Sequence, residues 1–508
     1  MTTSTLIIRA DAEQRMGTGH VMRCIALAQG WQETGGPVVF LISPSSRPLA
    51  DRIAREGFSV RYLESQPGST GDADETHAFA AECGASWIVA DGYQFGDAFL
   101  DRLVSGPVKI LLIDDYGHVK HYRNAIVLNQ NSYASMDLYP SHDDSVRFLL
   151  GGKYTMLRRE FLAKGQARDR DLSGPVKTIL VTMGGSDPDN VTTAVMEALR
   201  PLVAGTPVRV TALIGRMNPF LACGTPPGTG WENFAVRHAE REMPDLIRGA
   251  DIAIIGSGST AWETAFLGTP MIAVVLSANQ APVARKLEEA GAAVAIHDRK
   301  DIPAQLAPAV RELMASAEKR SALSGAARTL IDGEGVSRVV MAMQGGPVRL
   351  RDARVADSDL LLAWANDPVV RGNAFSSDPI PKDAHERWFS GKLASSDCRI
   401  FIAVDRDEVP VGQVRFDRDG ESAEVDISVA AAARGRGLGT RILRLGTAKI
   451  IHSTDIKTII ARVKTGNTAS KKIFEQAGYR CTGTAHVKGS DVYEFEFRRS
   501  FLTGKEDS

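Results

Sequence analysis

The chain has 508 residues, 44% of them hydrophobic and 24% charged, with a formal net charge of -1. At about 100–200 residues per domain this length predicts three domains, each with enough apolar sequence for a core. The balanced charge, with no long run of one sign, excludes an electrostatic footprint for nucleic acid or an anionic membrane.

The 5 cysteines, Cys24, Cys83, Cys223, Cys398 and Cys481, are scattered and form no CxxC pair. Neither a zinc site nor a disulfide framework is expected, and a reducing cytoplasm fits best. No basic stretch followed by an apolar one opens the chain, and no apolar run has the length of a bilayer span.

From about residue 5 to 150, β-rich apolar runs alternate with helical patterns. Strands are expected at Thr5–Ile8, Pro37–Leu41, Ser86–Ala90, Lys109–Ile113 and Ala125–Leu128. Helices are expected at about Val21–Trp31, Leu49–Glu56, Thr76–Cys83 and Ala98–Val104. Such alternation predicts a parallel, doubly wound sheet. The pattern resumes near Pro175, with strands at Val176–Thr182, Val208–Leu213, Ile252–Ile255 and Met271–Val275. Its helices fall at about Asn190–Leu199, Thr260–Leu267 and Pro282–Ala290, and Val336–Met343 closes the block. Gln344-Gly345-Gly346-Pro347 reads as a linker. The third block differs: strands at Val411–Phe416, Ala423–Val429, Thr458–Val463 and Val492–Phe497, with helices at about Leu438–Ile451 and Asn467–Gln476. The tail from Gly504 is expected to fray.

The first strand leads into Met16-Gly17-Thr18-Gly19-His20. Gly17 and Gly19 begin a dinucleotide fingerprint, but Met22 stands where its third glycine belongs, which disfavours a Rossmann cofactor site. A glycine loop at a helix N-terminus still attracts an anion. The same dipole disfavours an imidazolium at His20, leaving a ring able to take a proton from water. An equally ready reading is a histidine that caps or packs at the helix start. Asp11 follows the strand, where open α/β sheets receive ligands, and is placed to hold a sugar hydroxyl or orient His20. An ordinary turn aspartate is the alternative. Asp91-Gly92-Tyr93 and Asp114-Asp115-Tyr116 fall on the same sheet edge.

In the second block, Gly184, Gly185 and Ser186 join a strand to a helix, and so do Gly258, Ser259 and Thr260. Glycine N–H groups and hydroxyls there suit phosphate oxygens. Glu263, one turn into the second helix, is placed for the two hydroxyls of a ribose. Asn279 and Gln280 follow the next strand. In the third block, Arg434-Gly435-Arg436-Gly437-Leu438-Gly439-Thr440 opens a helix after a strand, a pattern suited to a pyrophosphate.

Residues 1–345 resemble the UDP-sugar hydrolases of pseudaminic acid biosynthesis. The resemblance rests on RADAEQRMGTGHVMRC, YTMLRREF, MGGSDPDN and GSGSTAWETAFLGTPMIAVVLSANQ. It implies a GT-B fold with UDP held mainly by the second lobe, hydrolysis of UDP-2,4-diacetamido-2,4,6-trideoxy-β-L-altropyranose, His20 as catalytic residue, and no metal. Residues about 347–500 resemble the GNAT acetyltransferases, through the Arg434–Thr440 loop, Ile459–Val463, Asn467, Ser470, Phe474 and Gly478-Tyr479. That resemblance implies acetyl-CoA as co-substrate, backbone groups near Val429 for pantetheine, and Asn467 on the CoA side. Trp364–Pro368 and His385 with Trp388 resemble the branch that acetylates nucleotide-sugar amines, with a core or stacking role for His385 at least as ready a reading as a base role. Phe474 stands where many of these enzymes carry an acidic tyrosine, so Tyr479 nearby is a candidate on the substrate side, or simply packs.

The expected architecture is α/β: two Rossmann-like lobes of GT-B type (1–150 and 151–345) followed by a GNAT α+β domain (346–502). The expected activity is acetylation of a UDP-4-amino-4,6-dideoxy sugar, then release of UDP from the product. Two alternatives stay open: a GT-B glycosyltransferase fused to an acetyltransferase, or a hydrolase with a non-catalytic acyl-CoA module. The expected partners are UDP-amino-sugars and other enzymes of the nonulosonic acid pathway, with no nucleic acid and no membrane.

Overall fold

The computed structural model describes residues 4–12, 17–165, 170–215, 218, 230–238 and 242–500. Residues 13–16 of the first glycine loop and the tail beyond 500 lie outside the described residues. The chain divides into two compact units: 4–31 with 37–339, and 32–36 with 340–500.

The larger unit holds two parallel sheets. The first has seven strands: β1 (Leu6–Ala10), β2 (Val38–Ile42), β3 (Ser59–Tyr62), β4 (Trp87–Asp91), β5 (Lys109–Ile113), β6 (Ala125–Asn129) and β7 (Arg147–Leu150), in the order β3-β2-β1-β4-β5-β6-β7. Every neighbouring pair is parallel. β1 and β4 are buried along their whole length because helices cover both faces, which is why they read as unbroken apolar runs. Arg9 within β1 is buried as an ion, compensated by Asp72 at 2.8 Å and Asp11 at 2.7 Å. The strand order reverses between β1 and β4, so the crevice outside their carboxyl ends is the natural ligand site. Helix α1 (Gly19–Gln32) rises from that crevice.

The second sheet has six strands, β8 (Thr178–Thr182), β9 (Arg209–Leu213), β10 (Phe234–Arg237), β11 (Ile252–Gly256), β12 (Met271–Val274) and β13 (Val294–Ile296), in the order β10-β9-β8-β11-β12-β13. Its switch point lies between β8 and β11, and the helices α2 (Val191–Val203) and α3 (Ser259–Leu267) follow those two strands.

The smaller unit contains β14 (Val348–Asp352), β15 (Cys398–Asp405), β16 (Pro410–Asp419), β17 (Ser422–Val429), β18 (Thr458–Lys464), β19 (Arg480–Val487) and β20 (Ser490–Arg498) in one sheet, ordered β14-β15-β16-β17-β18-β20-β19. All pairs are antiparallel except β17 with β18. That parallel pair is short, running from Ser422↔Thr458 to Glu424↔Ile460, so Val425–Val429 and Ala461–Lys464 part from each other. Helices α4 (Lys382–Ala394), α5 (Leu438–Ser453) and α6 (Thr468–Ala477) accompany the sheet. The architecture is therefore mixed α/β, with parallel sheets in two GT-B-like lobes and a GNAT-like C-terminal domain. Among the described residues, no helix is long and apolar enough to cross a membrane.

Candidate active sites

His20 stands in the first turn of α1 and is buried. Its Nδ1 lies 2.6 Å from Oδ1 of Asp91, the last residue of β4. A carboxylate only accepts, so Nδ1 carries the proton and Nε2 is left as the acceptor. Arg23, one turn further along α1, donates from Nε and Nη2 to Asp91 at 2.7 Å each, and from Nη1 to Asp115 at 2.8 and 2.9 Å. Burial alone would raise the Asp91 pKa, but the Arg23 charge and the hydrogen bonds from Arg23 and His20 hold it below the usual carboxylate range. For Arg23 the two carboxylates outweigh desolvation and push its pKa up.

The orienting partner of His20 is thus Asp91, not Asp11. Asp11 is fully buried and already engaged: Ser43 N–H donates to it at 2.6 Å, Ser46 Oγ and Gln94 Nε2 at 3.2 Å, and Arg9 pairs with it. This bonding locks the loop after β1 to the one after β2 and leaves Asp11 no role on the histidine. Asp114 is likewise a turn-former, accepting from the N–H groups of Tyr116, Gly117 and His118.

The Tyr93 ring meets His20 edge-on at 4.6 Å between centroids, and Tyr116 lies 5.3 Å beyond it. The Tyr93 hydroxyl accepts from Asn279 Nδ2 of the second lobe at 2.9 Å. Burial, with Asp115 nearby, raises the Tyr93 pKa to about 12.

The glycine loops of the two lobes meet. Gly17 adopts φ +81°, and a Cβ on it would lie 3.5 Å from Ser186 Oγ. A Cβ on Gly19 would lie 3.3 Å from Ser259 Oγ, and one on Gly185 only 2.1 Å from Thr18 Oγ1. A Cβ on Gly258 would lie 3.6 Å from Gln280 Nε2. The N-terminal ends of α1 and α3 therefore converge, with Gly184–Ser186 beside them. Two helix N-termini at one place make a strong anion site. Ser257 Oγ is buried there without a hydrogen-bond partner.

Glu263 of α3 is buried, and Arg158 Nη2 donates to it at 2.8 Å. Burial raises the Glu263 pKa, with Arg158 opposing. Glu263, Met22 and Ser259 share a small pocket between the lobes. Arg158 lies within the Tyr154–Phe161 stretch of the sequence, which marks it out by no signal of its own; the fold alone sets it against Glu263, 105 residues on. Among the described residues no group of three His, Cys, Asp or Glu side chains is arranged to hold a metal.

In the C-terminal domain, Gly435 and Gly437 adopt φ +75° and +71° just before α5, and Arg436 is exposed beside them. Adding a Cβ to Gly439 would bring it to 2.6 Å from Ile473 Cδ1 and 3.5 Å from Val429 Cγ2, so this loop lies against the end of β17. Arg434 already has partners within the domain. Its Nε donates to the Val429 carbonyl at 3.1 Å and its Nη2 to Asp367 at 2.7 Å. Thr440 Oγ1 bonds Gln476 at 3.1 Å, and Asn467 caps α6 by accepting from Ser470 N–H at 3.0 Å.

Two of the residues expected on the acceptor side lie elsewhere. Tyr479 is buried in the core between Phe474 and Phe497, with its hydroxyl 2.6 Å from Thr447 Oγ1, and burial pushes its pKa up. His385 is buried against Phe389, and its Nε2 donates to the Ser358 carbonyl at 3.0 Å. The signal for Tyr479 was its apolar helical neighbourhood, for His385 its place on a buried helix face. Trp388 does reach solvent, with the Arg415 guanidinium over its ring at 5.2 Å.

Residues 178–336 match the glycosyltransferase family 28 C-terminal domain, and residues 348–480 match the acetyltransferase (GNAT) domain. An uncharacterised protein of Methanocaldococcus jannaschii is 22% identical over 94% of this chain and 97% of its own. The spore coat polysaccharide biosynthesis protein SpsG of Bacillus subtilis is 24% identical over 39% of this chain, which spans 59% of that protein. Among solved structures, the spermidine N-acetyltransferase of Vibrio cholerae with CoA and spermine covers 31% of this chain and 98% of its own, at 18% identity and a TM-score of 0.29. The aminoglycoside acetyltransferase AAC(6')-Ib with ribostamycin and coenzyme A covers 32% and 100%, at 19% identity and a TM-score of 0.29. The chain thus carries a glycosyltransferase-28-like domain fused to a GNAT acetyltransferase domain.

Proposed function

We propose that the chain performs two consecutive steps on a nucleotide sugar. The C-terminal domain transfers an acetyl group from acetyl-CoA to the amine of a UDP-4-amino-4,6-dideoxy sugar. The two-lobed unit then hydrolyses the UDP-2,4-diacetamido-2,4,6-trideoxy product and releases UDP. The kinship with a spore coat polysaccharide protein supports a place in sugar biosynthesis.

The observation that carries the hydrolytic reading is His20. Its Nδ1 is tied to Asp91, and its ring lies where two helix N-termini converge. In that arrangement Nε2 takes a proton from water as the water attacks the anomeric carbon. The departing diphosphate gathers charge as the bond breaks, and the N–H groups at the starts of α1 and α3 stabilise it without reorganising. Glu263 and Asn279 would face the nucleoside and sugar. In the acetyltransferase domain, the parting of β17 from β18 supports an acyl-CoA wedge, with Gly435–Gly439 N–H groups toward the pyrophosphate. The neutral amine attacks the thioester carbonyl, the C–S bond breaks as the amide forms, CoA leaves as the thiolate, and the proton given up by the nitrogen passes to solvent. Phe474, stacked on Phe495 in the core, donates no proton to the thiolate.

The test is a mass-resolved time course with acetyl-CoA and UDP-4-amino-4,6-dideoxy-N-acetyl-β-L-altrosamine. One added acetyl mass, followed by free UDP and a diacetamido sugar, is expected. His20→Ala should stop UDP release and spare acetylation. Equal loss of both activities would overturn the two-site reading.

A further inference from the structure

A chain of buried hydrogen bonds runs from the second lobe to His20. Trp262 Nε1–H, one turn into α3, donates to Asn131 Oδ1 at 3.0 Å. Asn131 Nδ2 donates to Asp115 Oδ1 at 2.8 Å. Asp115 accepts Arg23 Nη1 through both oxygens, and the opposite edge of the same guanidinium grips Asp91, which holds His20. Trp262, Asn131, Asp115, Arg23, Asp91 and His20 are each at most 9% exposed, so water cannot readily replace a lost link.

We propose that Asp115, held by Trp262 through Asn131, is a positioning residue that sets the His20–Asp91 pair, so that the helix beginning at Ser259 fixes the geometry of the base. This rests on the reading of His20 as the group that activates water. The guanidinium is planar, so fixing its Nη1 edge fixes the direction in which Nε and Nη2 present themselves to Asp91. Asp91 then has one orientation in which it satisfies both Arg23 and His20. Releasing Asp115 lets the guanidinium pivot, and the imidazole turns with its carboxylate. Trp262 and the N-terminus of α3 belong to one nine-residue helix, so the chain of hydrogen bonds that ends at His20 is anchored on the element that opens at Ser259.

Asp115→Asn keeps the shape and an acceptor while removing the charge that holds Arg23. Trp262→Phe keeps the ring and removes the donor. Both are assayed in the full-length protein for UDP release, UDP binding by calorimetry, and His20 ring nitrogen signals after 15N-histidine labelling. A misplacement of the base of about 1 Å costs up to about 100-fold. Asp115→Asn should therefore lower kcat by about 10- to 100-fold with KM and UDP affinity unchanged, and Trp262→Phe should do the same to a smaller degree. In a His20→Ala background neither should lower the residual rate further. An unchanged kcat per folded molecule, with only thermal stability reduced, would overturn the inference. If the wild-type chain releases no UDP, the hydrolytic reading fails by itself. The His20 Nδ1–H signal then decides: its displacement in Asp115→Asn supports the positioning role, and its constancy refutes it.

Discussion

Replacing Asp91 by asparagine tests the candidate hydrolytic centre most directly. Oδ1 of Asp91 receives both His20 Nδ1 and Arg23 Nη2, and Oδ2 receives Arg23 Nε. An amide has one oxygen, so its NH2 must face a donor whichever way it turns. With the NH2 toward His20, the ring is driven to the tautomer with its proton on Nε2, which cannot act as a base. With the NH2 toward Arg23 Nε, a charge-assisted bond is replaced by opposed donors. General-base catalysis contributes about 10²–10⁴-fold, so kcat for UDP release should fall by about that factor, a barrier rise of about 2.7–5.4 kcal/mol. Stability should fall by less than for a stranded buried ion, because Arg23 keeps Asp115 at 2.8 Å; the loss of one charge-assisted bond costs about 1.5–3 kcal/mol. UDP release is followed by chromatography of quenched samples, with the urea unfolding transition of the same preparation as the control for folding of the larger unit. A folded Asp91→Asn protein that still hydrolyses at the wild-type rate would refute the assignment of His20 as a base oriented by Asp91.

Gly185→Ala would put a Cβ 2.1 Å from Thr18 Oγ1, too close for that loop contact to survive. Overpacking of about 1–3 kcal/mol predicts a KM for the nucleotide sugar raised by about 5- to 140-fold at 1.4 kcal/mol per tenfold, and Thr18→Gly in the same chain should restore much of it. Tyr479→Phe removes a buried hydroxyl that pairs with Thr447. Acetyl transfer should persist, with stability lowered by about 1 kcal/mol in urea unfolding; a lost activity in a folded protein would return Tyr479 to the acceptor site. Asp91, Asp114 and Asp357 all have pKa values held below the ordinary carboxylate value, in each case against the pull of burial, by Arg23, His118 and Arg351 respectively. A lowered folded-state pKa gives stability that is complete above the unfolded value of about 3.9 and drains away as pH falls through the folded one. Urea midpoints should therefore drop as pH falls below about 4, and the share that rests on His118, whose pKa Asp114 raises against burial, should drain away as pH rises through that raised value; a midpoint that holds at pH 3 would contradict these pairings.

Much of the strand–helix order was legible because a central parallel strand is apolar on both faces. Lys109–Ile113 was placed to the residue, and β1 and β4 within two residues of their ends. The strands that escaped notice include β3, β7, β10 and β13, each at or beside a sheet edge and carrying exposed or half-exposed residues where a central strand is apolar. β15 also lies beside an edge strand, but Ile400–Val404 is a plain apolar run, buried between β14 and β16, that the pattern offers without ambiguity. Glycine loops were found because their signature is local: strand, glycine, helix. The pairing of Arg434 is not legible in the sequence, because a positive charge in such a loop reads the same whether or not it also pairs with Asp367, a partner 67 residues away. The same distinction separates His20 from its orienter. Asp11 is close in the chain, whereas Asp91 lies 71 residues on and reaches the ring only because β4 lies beside β1. Strand order decides which carboxylate meets the imidazole, and nothing in the spacing of the sequence encodes it. The two parts of the proposed site are therefore written in different registers: the glycine loops belong to local sequence, and the Asp91–Arg23–Asp115 network around the His20 ring belongs to the topology of the sheet.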